Sequence, residues 1–317
     1  RWAVYTVLGL SLAFFAYNKG LPLIIRSALY PLFGERIWGW TGHVIDVLAV
    51  IATLFGLATS LGYGAEQITG GLSYLFGIPG DAQVKIIVVG VITLMAMISL
   101  VRGLDGGIKR LSEINMFAAA ILGGYVLLMG STLDIIVAFF SNIVAYVEYL
   151  PALSNFVGRE DTYYMHDWTT FYWSWWIAFS PFVGMFIARI SKGRTVRQFI
   201  VATLLGPSLI FVAWMTIFGE TAMDHYLQEG ITSVADTVRA SQPELTLFVF
   251  LQEFPLAIVS SVLGILLVMV FFTTSMDSGS FIVDTMTAGG KIETPLVQRL
   301  FWCLFLGLIG IALLMGG

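Results

Sequence analysis

Asp167 to Phe199 reads DWTTFYWSWWIAFSPFVGMFIARISKGRTVRQF. Trp168 to Ala188 carries no charge, and then Arg189, Lys192, Arg194 and Arg197 follow in quick succession. A helix that crosses a membrane needs roughly 20 mostly apolar residues to cover about 30 Å of hydrocarbon. Residues 168–190 supply one such crossing, and the basic cluster behind it marks a cytoplasmic end.

The same reading extended outward gives eight stretches, approximately 1–17, 44–64, 84–102, 112–130, 168–190, 198–218, 255–277 and 296–316. Of the 317 residues, 58% are hydrophobic and 11% charged, and mean hydropathy is +0.88. A soluble domain carries about 25% charged residues. So much apolar surface has to face lipid, and the fold class is an all-α membrane protein. Lys19, Arg26 and Arg36 follow the first span, Arg102, Lys109 and Arg110 the third, and Lys291 and Arg299 the seventh. The other loops hold mainly acids, among them Asp81, Glu160, Asp161, Glu220, Asp224 and Glu244. Every second loop is therefore basic, as eight consecutive crossings require, with span one ending inside. Residues 133–148 and 221–240 are expected as helices on the outer membrane surface. The turns at Asp105-Gly106-Gly107 and Lys192-Gly193-Arg194 are expected as tight cytoplasmic hairpins. A net charge of −4 suggests no nucleic-acid role. The chain opens at Arg1 and closes at Gly317 against apolar runs, which is expected of an excerpt from a longer membrane protein.

Span five holds the densest candidate chemistry. An interfacial belt accounts for Trp168 and Tyr172, but Trp175, Trp176 and Phe179 lie two to three turns deeper. Helical spacing puts Tyr172, Trp176 and Phe179 on one face and Trp168, Phe171 and Trp175 on the next. Ring faces hold a cation without needing a hydrogen bond, at about 0.5–2 kcal/mol per ring. A quaternary ammonium has no N–H, so a ring cage suits it, while packing within a bundle is the plainer alternative. Trp2 and Tyr5, at i and i+3 in span one, are either an interfacial anchor or the other side of such a box.

Phe271-Phe272-Thr273-Thr274-Ser275-Met276-Asp277-Ser278-Gly279-Ser280 closes span seven. Its hydroxyls suit a hard cation such as Na⁺, or else bond back to their own helix. Asp277 is either a functional intramembrane acid or a carboxylate facing water. Thr53, Thr59 and Ser60 offer similar oxygens in span two, where Gly56, Gly62, Gly64, Gly70 and Gly71 permit close approach or unwinding. Thr59 to Gly64, TSLGYG, has a faint likeness to a potassium-channel filter, though without a separate pore helix. His43, His166 and His225 are scattered, no enzyme motif is present, and the single Cys303 reads as a packing residue.

The run from Asp167 to Phe199 closely resembles the signature of the betaine/carnitine/choline transporter family. Asp46 to Gly62, Gly103 to Met116 and Phe271 to Ser280 are similar to further segments of that family. The resemblance implies a LeuT-type fold of two inverted repeats, with this chain resembling spans four to eleven of twelve. Residues 1–130 then form most of the first repeat, 131–160 a surface helix and external loop, and 168–317 most of the second. It implies a homotrimer in the bacterial inner membrane, with no organic cofactor and Na⁺ as coupling ion. The expected function is sodium-coupled symport of a betaine- or choline-type solute by alternating access, with sodium-independent or proton-linked exchange of carnitine- or betaine-type solutes and, as another class, a channel as alternatives. By position Trp2, Tyr5 and Trp176 resemble the family's aromatic box, and Phe171 and Trp175 its pathway aromatics. Phe179 stands where many members have Trp. Phe271, Thr274 and Ser275 resemble one set of sodium ligands, and Thr53 and Phe182 parts of a second. Leu57 there replaces a hydroxyl of sodium-coupled relatives.

Overall fold

A computed structural model describes residues 2–103, 107, 109–160, 162–291 and 293–316. No backbone group can be left open in hydrocarbon, so a chain this apolar satisfies its amides inside helices. Nine long helices result among the described residues: α1 (Trp2–Lys19), α2 (Trp40–Phe76), α3 (Ala82–Gly103), α4 (Lys109–Met129), α5 (Thr132–Ser154), α6 (Trp168–Ile190), α7 (Val196–Leu227), α8 (Ala257–Thr287) and α9 (Leu296–Gly316). Local chemistry sets several ends. Gly77, at φ +67°, ends α2 in the left-handed conformation that glycine adopts without strain. Thr195 starts α7 with a capping box, its hydroxyl accepting from the Gln198 amide while Gln198 accepts from the Thr195 amide.

Eight of these helices, α2 to α9, are long and apolar enough to cross a membrane. The number agrees with the sequence expectation but the membership differs: α5 enters the set, and α1, which ends in Tyr17-Asn18-Lys19, stays outside it. Packing direction sorts the two. Trp2 meets Trp176, Gly9 meets Gly184 and the Tyr17 hydroxyl donates to the Ala188 carbonyl, so α1 and α6 run parallel along their whole length. Gly123 meets Trp214 and Gly130 meets Thr221, so α4 and α7 are parallel too. If α2, α3 and α4 each cross, α6 can be parallel to α1 only when α5 returns the chain to the side it started from. Asn142 ties α5 to α7 by donating to Thr216.

The core runs between α2, α3, α6, α8 and α9. Here the glycines of α2 serve close approach rather than unwinding. A methyl on Gly71 would lie 2.4 Å from Phe248, and one on Gly64 2.3 Å from Phe272. Leu57 against Gly279 and Gly64 against Phe272 make α2 and α8 antiparallel. Gly56 against Phe179 and Tyr63 against Trp175 do the same for α2 and α6.

Three expectations are corrected. The second span, read as 44–64, continues as helix to Phe76, so Thr59 to Gly64 is unbroken helix and not a filter loop. The sixth, read as 198–218, runs to Leu227 through a π-helical stretch at Val201–Leu205, which carries Glu220 and Asp224 on its last turns. Residues 221–240 are accordingly not one surface helix; the chain breaks at Gly230 and resumes at Ser233–Arg239. Gly193 turns at φ +82° as its hairpin requires, whereas Asp105 and Gly106 lie outside the described residues.

Candidate functional site

Trp2 and Tyr5 of α1 meet Trp176 of α6 because the two helices are brought close by glycine on glycine lower down. A methyl on Gly9 would lie 3.2 Å from the Gly184 carbonyl. Thr6 fixes the turn between the rings by donating to the Trp2 carbonyl and meeting Thr203 of α7 at 3.2 Å. The Trp2 and Tyr5 ring centroids are 5.4 Å apart and those of Trp2 and Trp176 5.5 Å, both edge to face. Tyr5 and Trp176 stack at 4.7 Å with 14° between their planes. Phe211 of α7 closes the group, 6.2 Å from Trp2 and 6.4 Å from Trp176. The rings thus face one another rather than lipid, with Tyr5 buried and the two indoles half-buried. Stacked this closely, the Tyr5 and Trp176 rings leave no gap between their faces for a methylated nitrogen. Open space lies instead along another face of α1, in a groove of about 570 Å³ bounded by Val4, Val7, Ser11, Leu29 and Ser180.

The remaining aromatics of α6 form a second group. Trp175, Phe179, Phe182 and Phe186 follow each other at 6.2, 5.5 and 6.5 Å, a stripe at alternating four- and three-residue spacing. Phe179 joins the two groups: its ring meets Trp175 and Phe182 and fills the notch at Gly56 of α2, and it also packs on the buried cluster around Tyr5 that holds Trp2 and Trp176. Phe171 and Trp175 pack on Tyr63 of α2, at 5.7 and 5.9 Å. The indole N–H groups of Trp2 and Trp175 are buried without an acceptor among the described residues, which leaves two donors at the ring groups.

The hydroxyl candidates fall at two levels. Phe271, Thr274 and Ser275 share one face of α8, where Thr274 donates back to the Phe271 carbonyl at 2.9 Å. Ser275 and Ser60 line a cavity with room for about one water molecule, closed by Leu57, Leu61, Phe272, Met276 and Leu306. Thr53 lies level with Phe182 across the α2–α6 crossing, roughly 12 Å along α2 from Leu61. Its Oγ1 is fully buried without a hydrogen-bond partner among the described residues. Asp277 does not face water: it is fully buried on α8, beside Ser99 of α3 and Cys303 of α9.

Sequence reasoning missed Tyr63, Phe186 and Phe211. Phe186 was within reach of the four-residue spacing from Phe182, whereas Tyr63 and Phe211 lie on other helices and only tertiary packing joins them to the rings of α6.

The family model described as BCCT, betaine/carnitine/choline family transporter, matches residues 1–317. A glycine betaine/proline/choline transporter of Vibrio parahaemolyticus is 54% identical over 316 residues, covering 100% of this chain and 56% of that protein. Glycine betaine transporter 1 of the same organism is 48% identical over 320 residues, covering 99% and 59%. The glycine betaine transporter of Bacillus subtilis is 39% identical over 319 residues, covering 100% and 61%. The chain thus spans somewhat more than half the length of the curated relatives it matches.

Proposed function

The chain belongs to the betaine/carnitine/choline family of transporters, and from that premise we propose that the full-length protein carries a small quaternary-ammonium solute across a bacterial plasma membrane. The observation that carries this is the Trp2–Tyr5–Trp176 cluster, three rings from two helices within 5.5 Å of one another. Here the rings pack on one another. A trimethylammonium head that parts Tyr5 from Trp176 gains ring faces at about 0.5–2 kcal/mol each. That gain offsets the lost stacking, worth about 0.5–1.5 kcal/mol. The solute then moves past the Trp175–Phe186 stripe as α1 and α6 shift against α2 and α8, an alternating-access cycle.

Sodium coupling is part of the proposal. Thr274 and Ser275 offer hydroxyls on one face with the Phe271 carbonyl, and the unpartnered Thr53 Oγ1 offers a donor-free oxygen at the level of Phe182. Sodium-independent exchange is favoured by Leu57, whose buried side chain fills the space against Gly279 where sodium-coupled relatives carry a hydroxyl. A homotrimer is the assembly we propose. The test is uptake of radiolabelled glycine betaine and choline by the full-length protein in liposomes, with and without an inward sodium gradient. Uptake that needs the gradient supports symport, uptake indifferent to sodium removes the coupling, and no uptake of either solute overturns the carrier.

A further inference from the structure

The last turn of α7 carries a cluster that the ring groups do not use. Nδ1 of His225 lies 2.5 Å from Oε2 of Glu253, and the Ser233 hydroxyl donates to Oε1 of the same carboxylate. Both side chains are nearly covered, His225 at 14% exposure and Glu253 at 10%. Phe250 stacks beside the His225 ring at 6.3 Å and Phe254 lies 5.3 Å from it, so the imidazole is held against the acid. The other charges of this region are engaged elsewhere. On α7 Asp224 accepts from Gln228, with Glu220 and Glu229 one turn or more away in sequence. In the helix Ser233–Arg239, Asp236 pairs with Arg239, which also donates to the Tyr226 hydroxyl. Glu244 reaches α2, and α4 brings the uncharged Tyr125.

The contact joins two parts of the bundle that are otherwise fastened apart. The segment leading to Glu253 is seated on α2, with Glu244 and Leu245 in the notch at Gly70 and Phe248 in the notch at Gly71. In contrast, α7 is bound to α1 and α6, through Thr203 against Thr6 and Phe211 beside Trp176. The proposed cycle shifts α1 and α6 against α2 and α8, so His225 and Glu253 bridge the boundary between the sets at its acid-rich, outer end. Three residues beyond Glu253, Leu256 opens α8 at φ +60°, a left-handed conformation that leucine keeps only where its surroundings hold it. The Tyr125 hydroxyl donates to the carbonyl of Pro255 just before that turn.

Histidine is the side chain whose charge changes between about pH 5 and pH 8. A neutral His225 gives Glu253 a hydrogen bond. One more proton, taken from water, makes the same contact an ion pair, and charge-assisted contacts are roughly twice as strong. We propose that His225 and Glu253 form a proton-operated latch at the outer end of the carrier, fastening the 233–254 segment to α7 on the acid side and releasing it as pH rises. The inference rests on the solute-carrier reading above and adds to it a control on the step that opens the outer side.

The experiment measures exchange of radiolabelled choline by the full-length protein in liposomes, with equal choline, sodium and pH on both sides, at about pH 5.5 and about pH 7.5. Equal pH removes any proton gradient that could drive or oppose movement. Wild type should exchange about ten-fold faster at the higher pH, and His225→Gln and Glu253→Gln should lose most of that ratio. His225→Lys, charged at both pH values, should stay slow at both. A ratio in His225→Gln equal to that of wild type overturns the latch. Where a variant moves too little choline to count, melting in detergent decides. The deficit of His225→Gln against wild type grows from pH 7.5 to pH 5.5 if protonation fastens the pair, and an equal deficit at both overturns it. A wild type that exchanges choline at one rate at both pH values overturns the latch alone. One that carries neither choline nor betaine overturns the carrier and the latch together.

Discussion

Gly64 gives the α2–α8 contact its register, and a single methyl tests it. An added Cβ would lie 2.3 Å from Cδ2, 2.5 Å from Cε2 and 2.6 Å from Cγ of Phe272. Carbon atoms settle at about 3.5–4.0 Å, so the ring or the helices have to give by about 1 Å. Overpacking of this kind costs about 1–3 kcal/mol, while alanine in a helix interior returns up to about 1 kcal/mol. The net expectation for Gly64→Ala is a loss of about 1–2 kcal/mol, or a fall of roughly 2–6 °C in melting temperature. Gly90 on α3 meets nothing within 4 Å, so Gly90→Ala keeps only the gain in helix propensity. Thermal unfolding of the full-length protein in detergent, followed with a thiol dye that reads exposure of buried Cys303, should separate the two variants in opposite directions. Equal melting temperatures would refute the close contact, and with it the level at which Ser275 meets Ser60.

Asp46→Asn leaves Arg26, its partner at 2.6 Å with both side chains 12% exposed, without a counter-charge. A loss of about 3 kcal/mol is expected in the same melt, partly recovered by adding Arg26→Gln; strictly additive losses would contradict a coupled pair. Thr53→Val removes a buried hydroxyl that has no partner among the described residues, so stability in sodium-free buffer should rise by about 1 kcal/mol or more. If the oxygen is also a sodium ligand, the sodium concentration for half-maximal uptake should rise about ten-fold. An unchanged sodium dependence removes Thr53 from the ligand set.

The crossings were legible because lipid leaves a chain so few choices, and because the basic loops alternate. The helix ends were not. Hydropathy reports the membrane and not the helix, so α2 and α7 continue as helix past the point where apolar residues thin out. Gly70 and Gly71 look like breakers in sequence but are notches that receive Glu244, Leu245 and Phe248. The meeting of Trp2, Tyr5 and Trp176 was legible from spacing plus family likeness. That Phe179 bridges the Trp175 and Trp176 groups was not, because three- and four-residue steps fit a helix equally well, and its seat at the Gly56 notch comes from tertiary packing. The contact between Arg189 and Phe281 joins two helices more than ninety positions apart, and no local pattern announces it.

Replacing the nitrogen of glycine betaine by carbon gives 3,3-dimethylbutanoate, which keeps shape and carboxylate but removes the positive charge. Calorimetric affinities of the full-length protein for the two compounds, in wild type and in Trp176→Leu, isolate what the rings contribute. If ring faces hold the methylated nitrogen, wild type prefers betaine by about 2 kcal/mol or more, roughly thirty-fold, and Trp176→Leu loses most of that preference. Equal affinity for betaine and its carbon isostere in the wild-type protein would contradict it.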